Sequence, residues 1–169
     1  MSRRRAVTIL LAIQCLVGVG LRPAFATEIR VGDSAPEFSR TDIGHRKIDL
    51  KAYRGKVVLL NFWATWCAPC QAEIPTFVAW QKMYGPRGLQ VIGVSMDDDP
   101  TLVRSLYGKL KLNYPIVMGD ERLGELYGGI LGLPMTFLID RHGNVRAKYQ
   151  GDATMKVIQL QMPSLLVER

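Results

Sequence analysis

The sequence predicts an α/β domain, and three observations carry that prediction. Val57-Val58-Leu59-Leu60 continues through Phe62 and Trp63 as a short apolar run, β-branched and aromatic at its ends, the pattern of a strand buried on both faces. That run leads through Trp66-Cys67-Ala68-Pro69-Cys70 into a helical pattern over about 71–84. A second continuous apolar strand follows at Leu89-Gln90-Val91-Ile92-Gly93-Val94-Ser95, and the alternation of helix and strand goes on to the C-terminus.

Taken in order, the chain opens with the pattern of a secretory signal. Residues 1–5 are basic, 6–21 are apolar without a charge, and Ala24-Phe25-Ala26 has the small-x-small form of a cleavage site. Residues 1–26 are thus expected to be a signal peptide or an uncleaved membrane anchor through residues 6–21, although that run is shorter than the ~20 residues a spanning helix prefers. The protein is expected to be exported, in a periplasmic or extracytoplasmic location. Cys15 lies inside the apolar run as a passive side chain. Residues 27–169 are expected to form one domain.

The chain carries 22 basic and 15 acidic residues. Four basic residues (Arg3, Arg4, Arg5 and Arg22) and no acid lie in 1–26, which leaves 18 against 15, a net charge of +3 for the remainder. No dense basic run survives there, so nothing supports a nucleic-acid partner. The remainder also keeps only Cys67 and Cys70, which in an exported protein points to redox function rather than stapling.

Residues 31–38 read as an extended lead-in in which Pro36 prevents a central strand. Ile43-Gly44-His45-Arg46 is a hairpin turn before a short strand at 47–50, and 52–56 a helical turn ended by glycine. His45 is expected to be solvated. The helix over 71–84 presents Ile74, Phe77, Val78 and Met83 as a core face, with Trp80 in or at the rim of the core and Pro75 bending the axis. Asp97-Asp98-Asp99-Pro100 reads as an N-cap with proline at the first helical position, leading into a helix at 101–110, and the acids are expected to cap and to face solvent rather than to hold a cation. A short strand at 114–118, a short helix at 121–127 closed by Gly128-Gly129, and a strand up to Asp140 follow. Arg141-His142-Gly143-Asn144 turns into a returning strand at 145–149, with His142 solvated. The last segment, 152–167, carries Met155, Ile158, Met162 and Leu166 on one face, and Pro163 is expected to break or kink it.

The Cys pair has a physical reason for its place. Cys67 falls at the helix N-cap, where unpaired N–H groups and the positive end of the macrodipole favour a thiolate and so make it the attacking sulfur. Cys70 lies one turn on, within reach to resolve a mixed disulfide, and Pro69 sits where its missing N–H costs nothing. A structural zinc site would need about four ligands, and no second Cys pair or His cluster follows. Haem attachment would need His where Gln71 stands. A structural disulfide across so short a loop would constrain little.

These motifs resemble the thioredoxin superfamily, and more specifically the TlpA/ResA-type thiol-disulfide oxidoreductases, relatives of CcmG/DsbE. The resemblance rests on residues 32–38, on Asn61-Phe62-Trp63-Ala64-Thr65-Trp66-Cys67-Ala68-Pro69-Cys70, on Glu73 and Pro75, and on Gly132-Leu133-Pro134-Met135-Thr136-Phe137-Leu138-Ile139-Asp140. It implies a thioredoxin-like fold with a central mixed sheet, helices on both faces and an added N-terminal hairpin. It implies further that Pro134 is a cis-proline facing the Cys pair, so that the Leu133 backbone can pair with an extended substrate, with Trp66, Ala68 and Pro69 also at the substrate surface. Glu73 looks like the carboxylate that ResA-type proteins place near the motif to act as base for Cys70, Asn61 standing where thioredoxins proper have Asp. A helix-surface Glu steadying the first turn is the competing view of Glu73. The implied activity is reduction of disulfides in exported proteins, for example in cytochrome c maturation, by a monomer fed from a membrane thiol-disulfide electron donor, with no cofactor and no metal. Two alternatives stay open: a peroxiredoxin-like thiol peroxidase, against which Ala64 stands where that class needs Thr, and a Cu(I)-binding or chaperone module using the same sulfurs.

Overall fold

The computed structural model describes residues 28–151 and 155–168. Its first element is an antiparallel hairpin of β1 (Ser39–Thr41) and β2 (Lys47–Asp49). Asp42 builds the turn: its carboxylate accepts from Gly44 N at 2.9 Å and Arg46 N at 2.8 Å and pairs with the Arg46 guanidinium at 2.7 Å. His45 is exposed in that turn with φ of 66°. A one-turn 3-10 helix at Leu50–Tyr53 follows directly, two residues earlier than the turn expected over 52–56, because Asp49 caps it by accepting from Lys51 N at 3.1 Å.

The remaining elements are β3 (Val57–Trp63), α1 (Ala68–Tyr84), β4 (Leu89–Ser95), α2 (Pro100–Lys109), β5 (Ile116–Met118), α3 (Glu121–Leu126), β6 (Met135–Ile139), β7 (Val145–Gln150) and α4 (Met155–Val167). They build one mixed sheet in the order β5-β4-β3-β6-β7, parallel across β5, β4 and β3 and antiparallel across β6 and β7. This is the thioredoxin-like arrangement that the resemblance implies. β3 is central and buried at every position. Its alternation splits the core: Val57 and Leu59 pack with Ile74, Phe77 and Trp80 of α1 and with Ile158 and Met162 of α4. Val58, Leu60 and Phe62 face the other way, onto Phe38, Leu123 and Tyr127. Helices therefore cover both faces, and the N-terminal segment shares one of them with α3.

Several expectations are corrected. Met83 is 61% exposed rather than on the core face, because α1 turns its buried side through Ile74, Phe77 and Trp80. Pro163 does not break α4, which runs unbroken to Val167. Both helical prolines, Pro75 and Pro163, are exposed, on the solvent side of their helices. Asp99 caps α2 as expected, accepting from Thr101 N at 2.8 Å, but Asp97 is buried rather than solvated. The membrane anchor through residues 6–21, and the localisation built on it, are also corrected: no helix among the described residues is long and apolar enough to cross a membrane. Residues 6–21, like the rest of 1–27, lie outside the described residues.

Candidate active site

The parallel strands β3 and β4 run in a register that sets Trp63 beside Ser95. The segments that follow, Ala64-Thr65-Trp66 and Met96-Asp97, therefore emerge side by side at the carboxyl edge of the sheet, where open α/β sheets place their sites. Asp97 ties them together. Its carboxylate accepts from Thr65 N at 2.9 Å, from Thr65 Oγ1 at 2.6 Å and from Ser95 Oγ at 2.7 Å. From the opposite side Gln71 Nε2 donates to Thr65 O at 2.5 Å. The approach to Cys67 is thus held by both its backbone and its side chain.

Cys67 is the N-cap of α1, with extended φ and ψ of −88° and 99°, and its Sγ accepts from Cys70 N at 3.3 Å. Pro69 occupies the first turn. Cys67 and Cys70 are joined by a disulfide, with their Cα atoms 5.2 Å apart. Cys67 is 5% exposed and Cys70 1%, while Trp66, Ala68 and Pro69 beside them are exposed. Across from the pair, the Leu133–Pro134 bond is cis. Met135 pairs with Phe62, so Pro134 falls beside the end of β3 that leads to the cysteines. Leu133 and Trp66 line a groove of about 380 Å³ together with Met96, Ile130, Leu131 and Gly132.

Asn61 lies under the site and is buried, donating through Nδ2 to Thr136 Oγ1 at 2.9 Å. A neutral amide–hydroxyl pair fills this place. Glu73 is 4% exposed, on the inward side of α1 with Ile74 and Phe77, one turn beyond Cys70. Tyr114 is its electrostatic neighbour: burial pushes that phenol well above its ordinary value, and the charges of Tyr107 and Glu73 push it further the same way. Among the described residues no group of three or more His, Cys, Asp and Glu side chains is placed to hold a metal ion.

Of the residues singled out from the sequence, Trp66, Cys67, Ala68, Pro69, Cys70, Leu133 and Pro134 converge on one edge of the sheet, and Glu73 is buried behind the second cysteine. Sequence reasoning missed Asp97, Gln71 and Tyr114, and the groove residues Met96, Ile130 and Leu131. A signal for Asp97 existed. Aligning the two parallel apolar strands end to end sets Asp97 opposite Thr65.

The fold and the cysteine pair at its helix N-terminus define a thioredoxin-fold protein with a redox-active disulfide. The model of the AhpC/TSA family matches residues 31–148. Thiol-disulfide oxidoreductase ResA of Bacillus thuringiensis subsp. konkukian is 33% identical over 158 residues, 90% of each chain, and that of Bacillus subtilis is 32% identical over 153 residues, 89% of this chain and 86% of its own. Among solved structures, a protein of Chlorobium tepidum described as thiol:disulfide interchange protein DsbE superposes with a TM-score of 0.77 at 29% identity, covering 82% of this chain and 99% of that one. The chain belongs to the AhpC/TSA family and, within it, to the ResA/TlpA-like thiol-disulfide oxidoreductases related to DsbE.

Proposed function

We propose that the protein works as a dithiol reductant of protein disulfides, with Cys67 as nucleophile, Cys70 as resolving thiol and Glu73 as the base that serves it. The observation that carries this reading is the position of Cys67: its sulfur already accepts a backbone N–H in the first turn of α1. In the reduced protein the same donor and the positive end of the helix stabilise a thiolate. That thiolate attacks one sulfur of the substrate disulfide. The substrate S–S bond breaks, a Cys67–substrate disulfide forms, and the departing substrate thiolate takes up a proton. Cys70 then gives its proton to Glu73 and attacks Cys67 Sγ. The mixed disulfide breaks, the second substrate thiol leaves protonated, and the Cys67–Cys70 disulfide remains. Two electrons and two protons have passed to the substrate.

The substrate peptide lies extended against the Leu133–Pro134 segment, with Trp66, Ala68 and Pro69 forming the other lip. Its natural source is a disulfide-bearing protein, the Cys pairs of apocytochrome c being one candidate, and a membrane thiol-disulfide carrier returns the dithiol for the next turnover. The protein acts as a monomer. Cys67→Ser abolishes turnover. Cys70→Ser instead accumulates a mixed disulfide with the natural target that dithiothreitol releases, and mass spectrometry of the captured protein identifies it. A Cys70→Ser variant that captures nothing and still turns over at the wild-type rate would refute the reading.

The AhpC/TSA match favours one second reading, a thiol peroxidase. Ala64, which is buried, offers no hydroxyl three residues before Cys67. Rapid loss of hydrogen peroxide with a thiol donor would establish the peroxidase in place of the reductase.

A further inference from the structure

The groove beside the disulfide does not stop at Leu133. Met96, Ile130 and Leu131 continue into a second hollow of about 260 Å³, bounded beyond them by Glu121, Gly124, Glu125 and Gly129. The rim of the first section is unusually apolar for a surface: Leu131 is 96% exposed and Trp66 71%. Exposed apolar side chains grouped about a groove mark a place where a partner is bound. Gly124 keeps the second section open. A Cβ there would stand 3.7 Å from both Ile130 and Met96, so a longer side chain would fill the space.

The two carboxylates at the far end are held close together on α3, and the second is placed against the interest of that helix. Glu121 and Glu125 are exposed, four residues apart on the six-residue α3, a spacing at which like charges repel. Glu121 lies in the first turn, where the helix dipole favours an anion, but Glu125 lies in the last turn, where the dipole disfavours one. Neither carboxylate is in an ion pair among the described residues, whereas Asp120 beside them pairs with Arg40 at 2.8 Å. Arg122, the cation of the same helix, does not line the hollow. A site that gives up local stability in this way is explained by what it binds.

We infer that the two sections together select the substrate. The cysteine of an extended peptide lies over Cys67, an apolar side chain next to it packs against Trp66, Leu131 and Leu133, and a lysine or arginine further along reaches Glu121 and Glu125. The occupant is a disulfide-bearing segment of apolar-then-basic sequence, and Glu121 and Glu125 are specificity determinants. The inference rests on the disulfide-reductase reading above.

The test uses the reduced protein and short synthetic peptides whose cysteine carries thionitrobenzoate as a mixed disulfide. Cys67 attacks the peptide sulfur, the coloured thionitrobenzoate anion leaves, and Cys70 then frees the peptide thiol. Each peptide has leucine beside the cysteine and lysine, glutamine or glutamate at successive positions on either side. At one or more positions, lysine is expected to exceed glutamate by about 5- to 10-fold in the second-order rate constant of thionitrobenzoate release in a single turnover at low salt. The ratio is expected to fall toward one as salt is raised and to invert in Glu121→Lys/Glu125→Lys. The wild-type peptide series decides the matter even if that variant does not fold. Hydroxyethyl disulfide, which is too small to reach α3, separates the two claims. If it is reduced while no position prefers lysine, or while the preference ignores both salt and the charge reversal, this inference alone fails. If neither it nor any peptide is reduced, the reductase reading fails and the inference with it.

Discussion

Cys67 takes the place at which α1 would ordinarily carry Ser, Thr, Asp or Asn. Its sulfur does the work of a cap, accepting the Cys70 N–H at 3.3 Å, and a negative charge on that sulfur strengthens the same hydrogen bond. Cys70 lies inside α1 rather than at its N-cap, and its deprotonation needs a base. Glu73 is the carboxylate on the next turn of the same helix, buried at 4% exposure, where a surface role in steadying the helix is not open to it. Glu73→Gln keeps the shape and removes the proposed base. The resolving step is then expected to slow by about 10²-fold near neutral pH and to recover as alkali ionises Cys70 unaided, near the free-thiol value of about 8.5. Stopped-flow decay of the mixed disulfide against pH gives the profile. A profile identical to wild type would remove Glu73 from the mechanism.

At the scale of elements, short polar caps fix what the apolar pattern leaves loose. Asp120 accepts from Leu123 N at 2.8 Å and holds Arg40 of β1 at 2.8 Å, joining α3 to the N-terminal hairpin. These contacts, the Leu123 N–H first and the Arg40 guanidinium next, hold its carboxyl below the ordinary 3.8. The stabilisation is therefore fully present above that value and disappears as pH falls through the lower folded-state value. Asp120→Ala is expected to cost about 1 kcal/mol at pH 7. The difference from wild type in urea unfolding should shrink as pH falls below the ordinary 3.8, and a constant difference across that range would contradict the assignment. The same scale shows what the sequence discloses. β3 and β4 are legible because a strand covered on both faces must be apolar throughout, and the Cys motif marks the start of α1. β1 is not legible, because Ser39-Arg40-Thr41 offers no apolar residue and forms a strand only through its pairing with β2. Asp97 looks like one more acid of a surface cap until strand register sets it against Thr65. Met83 has helical spacing with Val78 and Phe77 but falls on the far side of the helix once Trp80 is seated.

Across the whole molecule, the sheet is a partition with different duties on its two faces. One face carries α1 and α4 and anchors the helix that bears the cysteines. The other buries Tyr127 against Phe38, Phe62 and Phe137 at centroid distances of 5.1–6.4 Å, and its hydroxyl donates to Pro36 O at 2.7 Å. Through that contact the N-terminal segment is pinned to the turn that follows α3, and α3 is the helix that flanks the groove. The candidate site was largely legible where it lies in one motif, Trp66 to Cys70 with Leu133-Pro134. It is illegible where it needs the fold to bring Met96, and the Ile130-Leu131 pair that precedes the Gly132-Leu133-Pro134 motif, next to Trp66, since these segments lie far from Trp66 in sequence.

The measurement that bears most directly on the central claim is the acidity of Cys67. In a Cys15→Ser/Cys70→Ser background Cys67 is the one thiol left, and the backbone N–H of residue 70 that caps it is retained. Thiolate absorbance followed against pH is expected to show a midpoint at least about one unit below the free-thiol 8.5. A midpoint at or above that value would mean the helix does not activate this sulfur, and the nucleophile would have to be sought elsewhere.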